Sequence, residues 1–120
     1  MAKILVVDDA AFMRMRCFKL LTEAGHEVIE ASNGAEAVEK YQEMKPDGVL
    51  LDITMPKMDG IATLEKILEF DDNAIVIMIS ALGKENLVKE AIMLGAKNYI
   101  IKPIDRNKVL ERIGKILQKL

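Results

Sequence analysis

The chain has 120 residues, enough for one domain with a substantial core and too few for a second folded unit. Its composition, 51% hydrophobic and 30% charged, excludes a disordered chain. A formal charge of -2 with no basic or aromatic-interleaved stripe argues against nucleic acid as a partner. The longest apolar run, 74–82, is broken by Ser80 and is too short to cross a bilayer, so no membrane partner is expected. Cys17 is the only cysteine, which rules out an internal disulfide and fits a reducing compartment. Met1 leads straight into an apolar stretch that ends at Asp8, with no segment of signal-peptide type, and a cytoplasmic location is the expectation.

In chain order, short apolar runs alternate with longer helical patterns five times, the rhythm of a parallel sheet covered by helices on both faces. Strand one spans 3–7 and ends at Asp8 and Asp9. The helix after it carries Met13, Cys17, Leu20, Leu21 and Ala24 at helical spacing, with Gly25 as its left-handed cap. Strand two covers 27–31. A helix over 34–44 turns Tyr41 inward and stops at Lys45, Pro46 and Asp47. Strand three, 48–51, runs into Asp52. A helix over 59–69 presents Ile61, Leu64 and Leu68 to the core. Strand four, 74–79, ends at Ser80, and a helix over 84–94 stops at Gly95. Strand five, 98–101, ends at Lys102 and Pro103, and the last helix carries Val109, Ile113, Ile116, Leu117 and Leu120 on one face. Nearly continuous Val, Ile and Leu in the strands is what burial on both sheet faces requires.

Ligands of open parallel sheets bind outside the carboxyl ends of the strands, so the polar residues at those ends are the candidates. Right-handed crossovers bring Asp8, Asp9, Asp52, Ser80 and Lys102 to one edge. Carboxylates crowded there repel one another unless a divalent cation neutralises them. Oxygen ligands without His or Cys suit Mg²⁺. Asp52 is then the candidate nucleophile for a phosphoryl group, with Lys102 as the cation that steadies the transferring oxygens. The Ser80 hydroxyl can donate to a phosphoryl oxygen, and a loop that moves with it would carry a signal. The proline after Lys102 permits a cis peptide that would aim the lysine inward.

The segments Asp8-Asp9, Leu50-Leu51-Asp52-Ile53-Thr54-Met55-Pro56, Met58-Asp59-Gly60, Ile79-Ser80-Ala81 and Lys102-Pro103 together resemble the signature of receiver domains in CheY-type response regulators. The resemblance covers the whole chain, so 1–120 is expected to be one receiver domain of flavodoxin-like fold, five parallel strands in the order 2-1-3-4-5 flanked by five helices. It implies that Asp9, Asp52 and the Thr54 carbonyl ligate Mg²⁺ directly and that Asp8 helps through water. It also implies that Asp52 is the phosphoacceptor, that Ser80 and Tyr99 form a switch pair, and that Lys102 binds phosphate. The expected donor is a histidine kinase or a small acyl phosphate, and the chain would catalyse only its own phosphorylation and dephosphorylation. The expected output target is a protein such as a motor or adaptor, and a monomer is the simplest state. Met13-Arg14 after the aspartate pair and Tyr99 near Lys102 favour a role in chemotaxis over a phosphorelay intermediate.

Each residue also has a plainer reading. An aspartate pair alone would serve as a helix cap, and only the company of Asp52 makes it a metal site. Asp59 with Gly60 reads as a turn and helix start, His26 as a surface residue away from the active edge, and Met13 and Cys17 as packing. Val88, Ile92, Tyr99 and Ile101 would partly face outward across the fourth helix and fifth strand and form a partner surface. An aspartyl-phosphate enzyme is the catalytic rival, but Asp52-Ile53-Thr54 lacks the second aspartate such enzymes need. A flavin-binding module is excluded by the missing phosphate-cradling loop after strand one, where Asp8 and Asp9 would repel a phosphate.

Overall fold

A computed structural model describes residues 2–55 and 59–117, with the side chains of 116 and 117 left aside. Pro56 and Met58 of the motif, the side chains of Ile116 and Leu117, and Leu120 therefore lie outside the described residues. Five strands alternate with five helices: β1 Lys3–Val7, α1 Ala11–Glu23, β2 Glu27–Ala31, α2 Gly34–Met44, β3 Gly48–Asp52, α3 Gly60–Phe70, β4 Val76–Ser80, α4 Glu85–Leu94, β5 Asn98–Ile101 and α5 Arg106–Leu117. The sheet is parallel throughout, in the expected order β2-β1-β3-β4-β5.

Alternation along the strands divides the core in two. Leu5, Val7, Val49, Leu51, Val76 and Met78 face α2, α3 and α4, where they meet Ala37, Tyr41, Leu64, Ile67 and Ala91. Ile4, Val6, Leu50, Ile77, Ile79 and Ile100 face the other way, against Cys17, Leu20 and Leu21 of α1 and Val109 and Ile113 of α5. The central strands β3 and β4 are buried at every position, which explains why their sequences carry no polar alternation.

The boundaries differ from the sequence reading where a cap or a ladder bond decides them. Asp59 is the N-cap of α3, its carboxylate accepting from the Ala62 N–H at 2.8 Å, so the helix proper begins at Gly60. β4 starts at Val76 and reaches Ser80, whose carbonyl accepts from the Lys102 N–H at 2.7 Å. Ala24, expected inward, is exposed because it is the C-cap of α1, where the chain turns away from the sheet through Gly25 at φ 92°. Thr63 and Ile67 join Leu64 as the fully buried positions of α3, whereas Ile61 and Leu68 are only half-buried. α2 ends in a left-handed Lys45 at φ 45°. The Lys102–Pro103 peptide is cis.

Candidate functional site

Register builds the site. Val7 of β1 pairs with Leu51 of β3, so the next residues, Asp8 and Asp52, leave neighbouring strands at the same level. Asp52 pairs in turn with Ile79, which puts Ser80 one step beyond, and Ser80 pairs with Ile101, which puts Lys102 one step beyond that. Parallel pairing thus converts four strand ends into one row of polar side chains.

Carboxylate oxygens of Asp8, Asp9 and Asp52 lie within 4.8 Å of one another. Asp8 and Asp52 are buried and Asp9 is exposed, which leaves the cluster open on one side. Asp8 is fixed by its surroundings: its N–H donates to the Ala31 carbonyl at 3.2 Å and its Oδ1 accepts from the Ala10 N–H at 2.9 Å. Asp52 Oδ1 accepts from the Thr54 N–H at 3.4 Å, and the Lys102 Nζ lies 3.5 Å from the same oxygen. Thr54 is exposed beside it.

Burial pushes the Asp52 carboxyl up to about 6, and the negative charge of Asp8 adds to that, against the opposing pull of Lys102 and the Thr54 N–H. Burial raises Asp8 as well, and the Ala10 N–H and Lys102 only partly offset it. Such a cluster resists holding its full charge without a cation. All of its donors are oxygens and none is nitrogen or sulfur, so the residues fit a hard divalent ion of the Mg²⁺ kind.

Ser80 is fully buried and its hydroxyl donates to the Ala81 carbonyl at 3.0 Å. Tyr99, two residues before Ile101 on β5, keeps its ring 41% exposed. It lines a shallow groove of about 320 Å³ with Glu85, Val88, Lys89, Ile92, Met93 and Ile101. The four expected surface residues therefore share one groove, with one correction: Val88 is buried and forms the floor, because α4 turns it toward the core beside Ala91.

Two other expectations change. His26 is not a free surface residue; its Nδ1 accepts from the Ala2 N–H at 3.1 Å and it is half-buried, at the amino edge of the sheet and away from the acidic cluster. Gly60 is more than a turn residue. A Cβ at that position would collide with the Asp52 carbonyl oxygen and the Ile53 Cα, so only glycine lets α3 start against the strand that carries Asp52. Sequence reasoning cited Arg14 only with Met13, in favour of chemotaxis; the bond from its Nη1 to the Asp8 carbonyl at 2.6 Å, made from the first turn of α1, was not foreseen.

Comparison with known proteins gives the family of the chain. Residues 4–114 match the family described as the response regulator receiver domain. The chain is 60% identical to the chemotaxis protein CheY of Treponema pallidum, over 97% of this chain and 83% of that one. It is 53% identical to the chemotaxis protein CheY of Bacillus subtilis, over 96% and 97% of the two chains. Among solved structures, it superposes with a TM-score of 0.90 and 51% identity on a chain of the CheX-CheY-BeF3-Mg²⁺ complex of Borrelia burgdorferi, covering 95% of this chain and 87% of that one. A response regulator receiver domain protein from Clostridium thermocellum gives a TM-score of 0.95 at 29% identity, covering 99% and 96%. The chain belongs to the response regulator receiver family.

Proposed function

We propose that this chain is a chemotaxis-type signalling switch that accepts a phosphoryl group on Asp52 from a histidine kinase in a Mg²⁺-dependent transfer. The observation that carries the reading is the Asp8, Asp9 and Asp52 cluster with a lysine ammonium 3.5 Å from the Asp52 carboxylate. Asp9, Asp52 and the Thr54 carbonyl would hold the metal, with Asp8 assisting through water. When bound, Mg²⁺ supplies charge that keeps Asp52 ionised and screens the incoming phosphoryl oxygens.

The chain's own residues do the rest. An Asp52 carboxylate oxygen attacks phosphorus, a P–O bond forms, and the bond to the donor's imidazole nitrogen or acyl oxygen breaks with its electron pair leaving on the donor. Lys102 steadies the charge that develops on the transferring oxygens. The Ser80 hydroxyl gives up the Ala81 carbonyl for a phosphoryl oxygen and draws the β4–α4 loop with it. Tyr99 follows inward along the groove of α4 and β5, which changes the surface that Ile92 and Ile101 offer to an output protein. A motor or adaptor protein is the expected class of target; that a protein partner is engaged at all is supported by the complex of the Borrelia relative with CheX. The switch would act as a monomer in the cytoplasm; among the described residues no helix is long and apolar enough to cross a membrane.

Intact mass after incubation with Mg²⁺ and acetyl phosphate tests the reading. One added phosphoryl unit in the parent, absent in Asp52→Asn and in chelator, supports it. A parent that gains no mass when presented with a phosphorylated histidine kinase as well rejects it.

A further inference from the structure

Arg14 is the fourth residue of α1, on the face of the helix that looks back at β2. Its Nη1 donates to the Asp8 carbonyl at 2.6 Å, and its Nε stands 3.4 Å from Glu30 Oε1 on β2. The side chain is 18% exposed, too enclosed for a free surface arginine. The backbone carbonyl of Glu30 accepts from the Lys40 Nζ of α2. One guanidinium therefore ties the carbonyl of the first aspartate to the neighbouring strand.

The tie matters because of where the bonded oxygen sits. The Asp8 carbonyl belongs to the peptide that joins Asp8 to Asp9, and the plane of that peptide sets the direction in which Asp9 leaves the backbone. Asp8 is already pinned through its N–H and its Oδ1, so Arg14 fixes the remaining polar group of its backbone, the carbonyl. Arg14 has Glu30 as its ionic partner. Its contact with the aspartate pair runs through the Asp8 backbone carbonyl.

We infer that Arg14 is a positioning residue for the metal site, holding the Asp8–Asp9 peptide in the orientation that lets Asp9 and Asp52 share a divalent cation, with Glu30 fixing the guanidinium. The inference rests on the reading of the acidic cluster as a Mg²⁺ site. Partners that orient metal ligands through hydrogen bonds are typically worth about 10- to 100-fold in affinity, and a bond to the backbone rather than to the carboxylate belongs at about tenfold. Lysine, a point charge without the planar fork, can meet the carbonyl or Glu30 but not both.

The test is calorimetric titration of the unphosphorylated protein with Mg²⁺ for the parent, Arg14→Ala, Arg14→Lys, Glu30→Gln and the Arg14→Ala/Glu30→Gln pair, with thermal melts in chelator beside each. The expected result is a Kd raised about tenfold in Arg14→Ala, partly restored in Arg14→Lys, raised less in Glu30→Gln, and no worse in the pair than in Arg14→Ala alone. A Kd within twofold of the parent in Arg14→Ala overturns the inference, whatever the melting temperature does. Should Arg14→Ala melt below the working temperature, Arg14→Lys and Glu30→Gln decide: parental affinity in both overturns it. A parent that binds no Mg²⁺ defeats the metal-site reading itself, an outcome distinct from a parent and variants that bind equally well.

Discussion

Lys102 Nζ lies 3.5 Å from Asp52 Oδ1 although their strands are not neighbours; β4 runs between them, and the ammonium reaches over the end of that strand. The pair is asymmetric in exposure, with the Asp52 side chain 5% and the Lys102 side chain 30% accessible. The lysine is therefore free to follow a charge that moves outward from the aspartate, as the charge on a transferred phosphoryl group does. Replacing it by methionine keeps the packing and removes the cation. Phosphorylation of Lys102→Met by acetyl phosphate is expected to slow by about 100- to 1,000-fold, the usual loss for one preorganised stabilising group. Intact-mass time courses would show it, and a rate within tenfold of the parent would remove Lys102 from the transfer.

Asp52 itself is predicted to destabilise the metal-free protein. Its carboxyl is raised from 3.8 to about 6, chiefly by burial and then by Asp8. A raised pKa means that the folded state binds the proton more tightly, so the associated stability is present below about pH 4 and lost as pH rises through about 6. In chelator at pH 7.5, Asp52→Asn should be more stable than the parent by about 1–3 kcal/mol, read from urea midpoints at constant slope. Saturating Mg²⁺ should narrow or reverse the order, because only the parent keeps the full ligand set. A variant less stable than the parent in chelator would contradict the crowding of charge at the site.

Glycine to alanine should have opposite signs at two helical positions. At Gly60 the added methyl meets backbone atoms alone, the Asp52 and Ile53 carbonyls and the Ile53 Cα, so no side chain can rotate away. Gly60→Ala is expected to cost about 2–3 kcal/mol and to weaken Mg²⁺ binding by displacing β3. At Gly114, on α5, nothing lies within 4 Å of the added carbon, and the same change should stabilise by about 0.4–1 kcal/mol through the unfolded chain. Urea denaturation of the two variants checks both, and equal effects would refute the close approach at Gly60.

The sequence carried the fold and the acidic edge because both depend on signals that local chemistry writes plainly. β3 and β4 are buried at every position, so their runs of aliphatic residues could mean only a sheet covered on both sides. Parallel pairing then fixed which strand ends meet, and Asp8, Asp52, Ser80 and Lys102 fell together as a consequence. What escaped was contact at a distance from regular pattern. The link of Arg14 to Glu30 joins residues 16 positions apart through a side chain that helical spacing assigns only to a half-buried flank. Gly60 reads as an ordinary turn glycine until the carbonyl of Asp52 is seen beneath it. Ala24 shows the converse: hydrophobic spacing placed it inward, but spacing holds only while the helix lasts, and α1 ends at Glu23.

His26 gives a pH dependence that the active edge does not share. Its Nδ1 accepts the Ala2 N–H and is half-buried, so the neutral ring is the one that fits, and burial holds its pKa below the usual 6.5. The folded state then binds the proton less tightly than the unfolded chain, and stability falls as pH drops through the unfolded value of 6.5 toward the lower folded value. Asp52 acts in the opposite sense over part of that range, which makes Asp52→Asn the proper background. In that background, urea midpoints should fall between pH 7.5 and 5.5, and adding His26→Gln should flatten the slope, since the two sites occupy opposite edges of the sheet and should act independently. Parallel slopes with and without His26 would show that the ring titrates alike in both states and that its bond to Ala2 contributes nothing to stability.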